Sequence, residues 1–153
     1  MSFLLSLDEE RLADIIPLLP RFEDKIKAAE PIFLLEGRKL EEIIRTIPQY
    51  QASYDQSYQE LKALEEWVNN LKEKKIGKLW KKYLEGYQRA LSTRDIQAYI
   101  NSEKDIVEMN QIIIEITLLK NHMLSIVEAL KNMGWMVGHV TKLRVAEMQD
   151  AIL

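Results

Sequence analysis

Eight apolar residues of this chain fall into two series of seven-residue steps: Met109, Ile116, Met123 and Leu130, and Ile112, Leu119, Ile126 and Met133. A seven-residue repeat held over more than three turns of the pattern is the seam of a packed helix. The middle of the segment, QIIIEITLL, is rich in β-branched residues and by itself reads as a strand. The longer repeat decides for helix. Ile106, Ile113 and Val127 add a third line, interrupted at Lys120. A stripe this wide packs against more than one neighbour. The segment predicts a long helix from about Arg94 to Met133, with Gly134 as its C-terminal stop.

A second long helix is expected before it. Between Pro48 and Leu91 there is no proline, and Tyr54, Tyr58, Leu61, Leu64, Val68 and Leu71 recur at the helical period. Such a helix makes a rod of about 65 Å. Gly77 and Gly86 lie inside it, each at a cost of about 1 kcal/mol. In the break that follows, Ser92 or Thr93 is a good N-cap, and Asp95 in the first turn suits the helix dipole.

The first 47 residues read as short helices. Ser6-Leu7-Asp8-Glu9 has capping-box spacing. Leu12, Ile15, Ile16 and Leu19 form one face, and Pro17 and Pro20 keep that helix short or kinked. Phe22 to Ala29 forms another turn or two, stopped by Pro31. Arg38 to Ile47 is amphipathic through Leu40, Ile43, Ile44 and Ile47, and Pro48 ends it or opens the next helix.

The tail, GWMVGHVTKLRVAEMQDAIL, predicts a separate helix from about Val137 to Ile152. Its polar strip is mainly His139, Lys142, Gln149 and Asp150. Apolar residues cover most of the rest, so other subunits are expected to bury it. The reading is therefore an all-α, elongated bundle of long helices with a short C-terminal oligomerisation helix. Its parts are 1–47, 48–133 and 134–153. No internal repeat or low-complexity tract appears.

The chemistry the chain lacks narrows its function. There is no Cys among the 153 residues, which excludes disulfides and thiolate catalysis and fits a reducing compartment. His122 and His139 lie in no metal-binding spacing, and the five glycines form no phosphate loop or dinucleotide fingerprint. Glu9-Glu10, Glu41-Glu42 and Glu65-Glu66 fall on solvated helix faces. No cofactor, metal or enzymatic activity is expected. The start has no basic region ahead of a signal-peptide core, and no run of about 18 apolar residues exists to span a membrane.

One stretch stands against the average charge. From Lys72 to Arg94 there are eight basic residues against Glu73 and Glu85, whereas the whole chain is net −3. Read as a helix, Lys74, Lys78, Lys81, Lys82 and Arg89 fall on one side. Ile76, Leu79, Trp80, Tyr83, Leu84 and Tyr87 fall on the other. A lysine-rich face is usually only a solvated surface. Here the lysines have almost no glutamates four residues away to neutralise them. That favours a polyphosphate ligand. A membrane surface is a third reading, but packing within a bundle better explains the apolar face. Trp80 and Tyr83 read as core, and Tyr87 as a residue able to stack on a base.

These residues also carry a resemblance. Lys81-Lys82-Tyr83-Leu84-Glu85-Gly86-Tyr87, then Arg94 to Ile100, then the tail with Gly134, Trp135, His139, Arg144 and Glu147, resemble the UvsY-type recombination mediators of large tailed phages. The likeness covers roughly residues 58–150, and the first 50 residues match little. In the family's DNA-contact pattern, Lys-x-Arg-Leu-Asp-Tyr-Tyr, the matching positions are Lys81, Leu84, Glu85 and Tyr87. Tyr83 stands at the Arg and Gly86 at one Tyr, and a slight rotation of the helix lets Lys82 replace the Arg. The resemblance implies an all-helical, ring-forming protein in the cytoplasm of the infected bacterium. It would bind single-stranded DNA and load a RecA-like recombinase onto DNA covered by single-strand-binding protein, in recombination and repair. The expected DNA-binding residues are Lys74, Lys78, Lys81, Lys82, Tyr87, Arg89 and Arg94. The expected oligomer contact comprises Trp135, Met136, Val137, Val140, Leu143, Arg144, Met148 and Ile152. The rival is a structural coiled-coil or scaffold oligomer whose basic face is merely solvated.

Overall fold

Helix follows helix in the order the hydrophobic periods set, and two helices dominate. The computed structural model describes residues 12–87 and 89–150, with side chains to 147. The expected capping box at Ser6–Glu9 and the expected contact residues Met148 and Ile152 lie outside what is described. The elements are α1 (Leu12–Ile15), a 3-10 turn (Ile16–Leu18), α2 (Leu19–Lys27), a second 3-10 turn (Glu30–Phe33), α3 (Leu40–Glu85), α4 (Thr93–Ser102) and α5 (Lys104–Asp150). The protein is all-α, and there is no strand among the described residues. The chain divides into two compact units. One joins the described residues through Pro20 with Glu60–Leu119, and the other joins Arg21–Gln59 with the described residues from Lys120 onward.

In the first unit the expected seam is buried. Leu61, Leu64, Val68 and Leu71 of α3 are buried, as are Ile112, Ile116 and Leu119 of α5. Thr117 Oγ1 donates to Glu65 Oε2 at 2.7 Å and fixes the register between the two helices. At the other end of the unit, Leu79 and Tyr83 of α3 form one apolar cluster with Ile96 and Ile100 of α4 and Ile106 of α5. Ile76, Trp80 and Leu91 pack against it.

In the second unit, Ile43, Ile47 and Tyr54 of α3 and Met123, Val127, Leu130, Met133 and Val137 of α5 are buried. Lys25 docks α2 on α3. Its Nζ donates to Ser53 Oγ at 2.8 Å and to Ser57 Oγ at 2.7 Å, and lies 5.1 Å from the centre of the Tyr54 ring. Tyr54 Oη donates back to the Lys25 carbonyl at 2.9 Å.

Four expected boundaries move. Pro48 neither ends nor begins a helix; it lies inside α3. An interior proline costs about 3 kcal/mol. Ile43 and Ile47, buried just before it, each return about 1.5–3 kcal/mol, and Tyr54 is buried after it. Gly134 does not stop α5, which runs on to Asp150, so the tail is no separate helix. The glycine costs about 1 kcal/mol, while buried Leu130, Met133 and Val137 hold the turns around it in line.

The third shift is at Gly86, expected inside a helix reaching Leu91. The helix ends one residue before it, and the Gly86 N–H makes the closing bond to the Lys82 carbonyl at 2.9 Å. A Cβ at Gly86 would stand 2.7 Å from that carbonyl oxygen, so only glycine fits this exit. The fourth is Glu103, where the expected single helix from Arg94 divides into α4 and α5. Its extended backbone (ψ 134°) ends α4, and its carbonyl accepts from the Val107 N–H at 3.0 Å to start α5. Of the two expected caps for α4, Ser92 takes the role, accepting from the Asp95 N–H at 3.2 Å while its hydroxyl donates to Asp95 Oδ2 at 2.6 Å.

Candidate nucleic-acid interface

The cationic face is built on the last turns of α3, because the opposite face is held by the cluster around Leu79 and Tyr83. Lys74, Lys78, Lys81 and Lys82 are exposed on it. Tyr87 and Arg89 follow in the segment after Gly86, and Arg94 stands in the first turn of α4; all three are exposed. Every expected DNA-binding residue thus belongs to one unit. Leu84 differs from expectation. It is 65% exposed, standing beside the lysines and not in the core.

Lys75 and Lys82 of the stretch each have a carboxylate partner. Lys75 Nζ lies 3.0 Å from Asp105 Oδ2, and Lys82 Nζ lies 3.7 Å from Glu103 Oε1. Both pairs are solvated and contribute little to stability. Leu71, Lys74, Lys75 and Lys78 of α3 line a cleft of about 300 Å³ with Asp105 and Met109 of α5. Lys81, Arg89 and Arg94 have no ion-pair partner among the described residues.

An aromatic stack lies at the end of the row. The Tyr83 ring stacks with Tyr87 at 5.7 Å between centroids and with Tyr99 of α4 at 5.6 Å. Tyr83 is buried, while Tyr87 and Tyr99 remain about half exposed. The stack therefore offers ring surface to solvent next to the cations. Tyr99, Lys75 and Glu103 were not among the expected site residues. Tyr99 sits three residues from Ile96 on an amphipathic helix, a spacing that reads only as core.

The Tyr83 phenol donates to Glu103 Oε1 at 2.6 Å, joining the end of α3 to the α4–α5 break. That hydrogen bond, and then burial, push its pKa from 10.0 up to about 12. The fold holds the neutral phenol. Its contribution to stability is complete below the unfolded value near 10 and is lost as pH rises from there toward about 12. Tyr83→Phe is expected to flatten the fall of stability in that window, as read from denaturant midpoints. Phenolate absorbance should lose one late-titrating group.

Those expected oligomer residues that are described lie toward the C-terminal end of α5, in the second unit. Trp135, Met136, Val140, Leu143 and Arg144 are exposed. Val137 is the exception. It is 4% exposed because it continues the buried line through Leu130 and Met133, so its own chain covers it.

No protein-family model matches the chain, and no curated protein matches it in sequence. A solved structure does: the crystal structure of the bacteriophage T4 recombination mediator protein UvsY, with a TM-score of 0.67 over 82% of this chain and 98% of that one. The chain has the fold of UvsY. At 14% identity, that likeness lies in the helices and not in the side chains. No described helix is long and apolar enough to cross a membrane.

Proposed function

We propose that this chain is a recombination mediator acting on single-stranded DNA. One observation carries the reading. An exposed row of cations on α3 continues into half-exposed tyrosine rings, on a fold shared with a protein described as a recombination mediator. Cations that follow a phosphate backbone beside aromatic faces that take bases are the usual equipment for single strands. In this reading Lys74, Lys78 and Lys81 hold phosphates, Arg89 and Arg94 extend the path, and Tyr87 and Tyr99 present ring surface to bases. Lys82 stands beside them, 3.7 Å from Glu103 Oε1. The chain works as a homo-oligomer, a ring joined through Met136, Val140 and Leu143, so that one modest site is multiplied by avidity. Its action is non-catalytic: the strand is bound, deformed and passed to a RecA-like recombinase in place of single-strand-binding protein, in the infected bacterium.

The rival, a scaffold with a solvated basic face, draws on the Lys75–Asp105 and Lys82–Glu103 pairs. Retention on a single-stranded DNA column separates the two. The mediator is expected to be retained at low salt and to elute as salt rises, because phosphate contacts release counterions. Passage straight through the column at low salt would leave the scaffold reading standing and remove this one.

A further inference from the structure

The second unit carries a cationic feature of its own. From Ala129 to Ala146 there is no Asp or Glu, while Lys131, His139, Lys142 and Arg144 all stand there. Lys131, Trp135, Gly138 and Lys142 step by four, three and four residues, which aligns them along one face of α5. With Gly134, His139 and Gln51 of α3 they line a cleft of about 520 Å³. Trp135 is 73% exposed, the most of any large hydrophobic residue described. Neither glycine is there for close helix packing. A Cβ at Gly138 would meet nothing within 4 Å, and one at Gly134 only Ile47 Cγ2 at 3.9 Å. Lys131, His139 and Lys142 have no ion-pair partner among the described residues.

The exposed aliphatic residues of the same turns lie elsewhere on the helix. Met136, Val140 and Leu143 step by four and three along a neighbouring line. Contact between subunits along that line leaves the tryptophan face unexplained. An indole between two lysines, with an imidazole and an amide at its sides, has the chemistry of a nucleotide site. The ring takes a planar base, worth about tenfold in affinity at the lower end of the usual range. The lysines take the adjoining phosphates, and the missing glycine side chains leave room above the helix.

We propose that this cleft binds a nucleotide, its base stacked on Trp135 and its phosphates held by Lys131 and Lys142. The nucleotide is either a residue of a single strand or a free nucleoside phosphate. The first source rests on the function proposed above; the second does not.

Two substitutions, Trp67→Phe and Trp80→Phe, leave Trp135 as the sole tryptophan of the three. The emission of this full-length protein is followed while oligo-dT, an abasic deoxyribose-phosphate strand of equal length, or ATP is added. Binding of labelled strands is followed separately by anisotropy. Oligo-dT is expected to quench Trp135 strongly and the abasic strand little. Trp135→Ala should lower affinity for oligo-dT by about tenfold and leave the abasic strand unchanged. Lys131→Ala with Lys142→Ala should shift the quenching curve to higher concentration without changing circular dichroism. Quenching by ATP but not by oligo-dT would assign the cleft to free nucleotides. A strand that binds without quenching Trp135, with ATP also silent, overturns the cleft and leaves the proposed function intact. A strand that does not bind, with ATP quenching, does the reverse. A smaller assembly on Trp135→Ala would place the indole in the subunit contact and also overturn the proposal.

Discussion

Met136→Gln, Val140→Gln and Leu143→Gln together are expected to break the assembly and to weaken single-stranded DNA binding by about a hundredfold or more. The three side chains are 61%, 41% and 65% exposed in the single chain, so their loss removes little from its core. Glutamine is a good helix former and should keep α5 intact. Met136, Val140 and Leu143 together place three large aliphatic side chains along one line of α5 without cover in the single chain. Each subunit would keep its own cationic row. The loss in affinity would come from the number of rows that one strand can engage at once. Truncation after Asn132 is a poorer experiment, because it also removes buried Met133 and Val137 and would unseat the second unit. Sedimentation gives the size and a salt-matched titration gives the affinity. A triple variant that sediments like the parent would place the subunit contact elsewhere.

The seam around Ile112, Ile116, Met123 and Leu130 was legible because burial and period coincide there. The cap of α4 was legible to within one residue, Ser92 or Thr93, because a cap is a local event. The boundaries at Pro48, Gly134 and Glu103 were not, because each is decided by distant packing. A local reading charges a proline or glycine its full cost and cannot see the buried neighbours that offset it. At Glu103 the reverse holds: no proline or glycine marks the break, and the partner that fixes the carboxylate is Tyr83, 20 residues away.

The candidate site divides the same way. The lysines could be found because charge is written in composition. Tyr99 could not, because its place in the aromatic stack depends on how α4 folds back against α3. Leu84 was assigned inward by its wheel position, yet it lies on the boundary between the buried and cationic faces, where one residue of drift turns a side chain outward. Trp135 was read with its aliphatic neighbours, and only the cleft beside it separates the two lines.

The cationic row itself makes the second large prediction. Lys74→Ala, Lys78→Ala and Lys81→Ala together should leave the fold and the assembly unchanged, since all three are exposed on α3 and alanine favours helix. Each substitution removes up to one phosphate contact from every subunit. For single strands, the logarithm of affinity falls with the logarithm of salt by about 0.7 per contact. The triple variant should therefore show a slope shallower by about 2 for each subunit site engaged. At moderate salt its affinity should drop by about one to two orders of magnitude. The loss should be alike for oligo-dT and oligo-dA, because phosphate contacts carry no sequence information. Lys82→Ala alone should do less, because it removes at most one contact from each subunit where the triple variant removes up to three. Titrations of parent and variants across a salt series, on one oligonucleotide, test the ranking. A triple variant with the parent's slope, or a Lys82 variant that loses as much, would move the phosphate path off this face of α3.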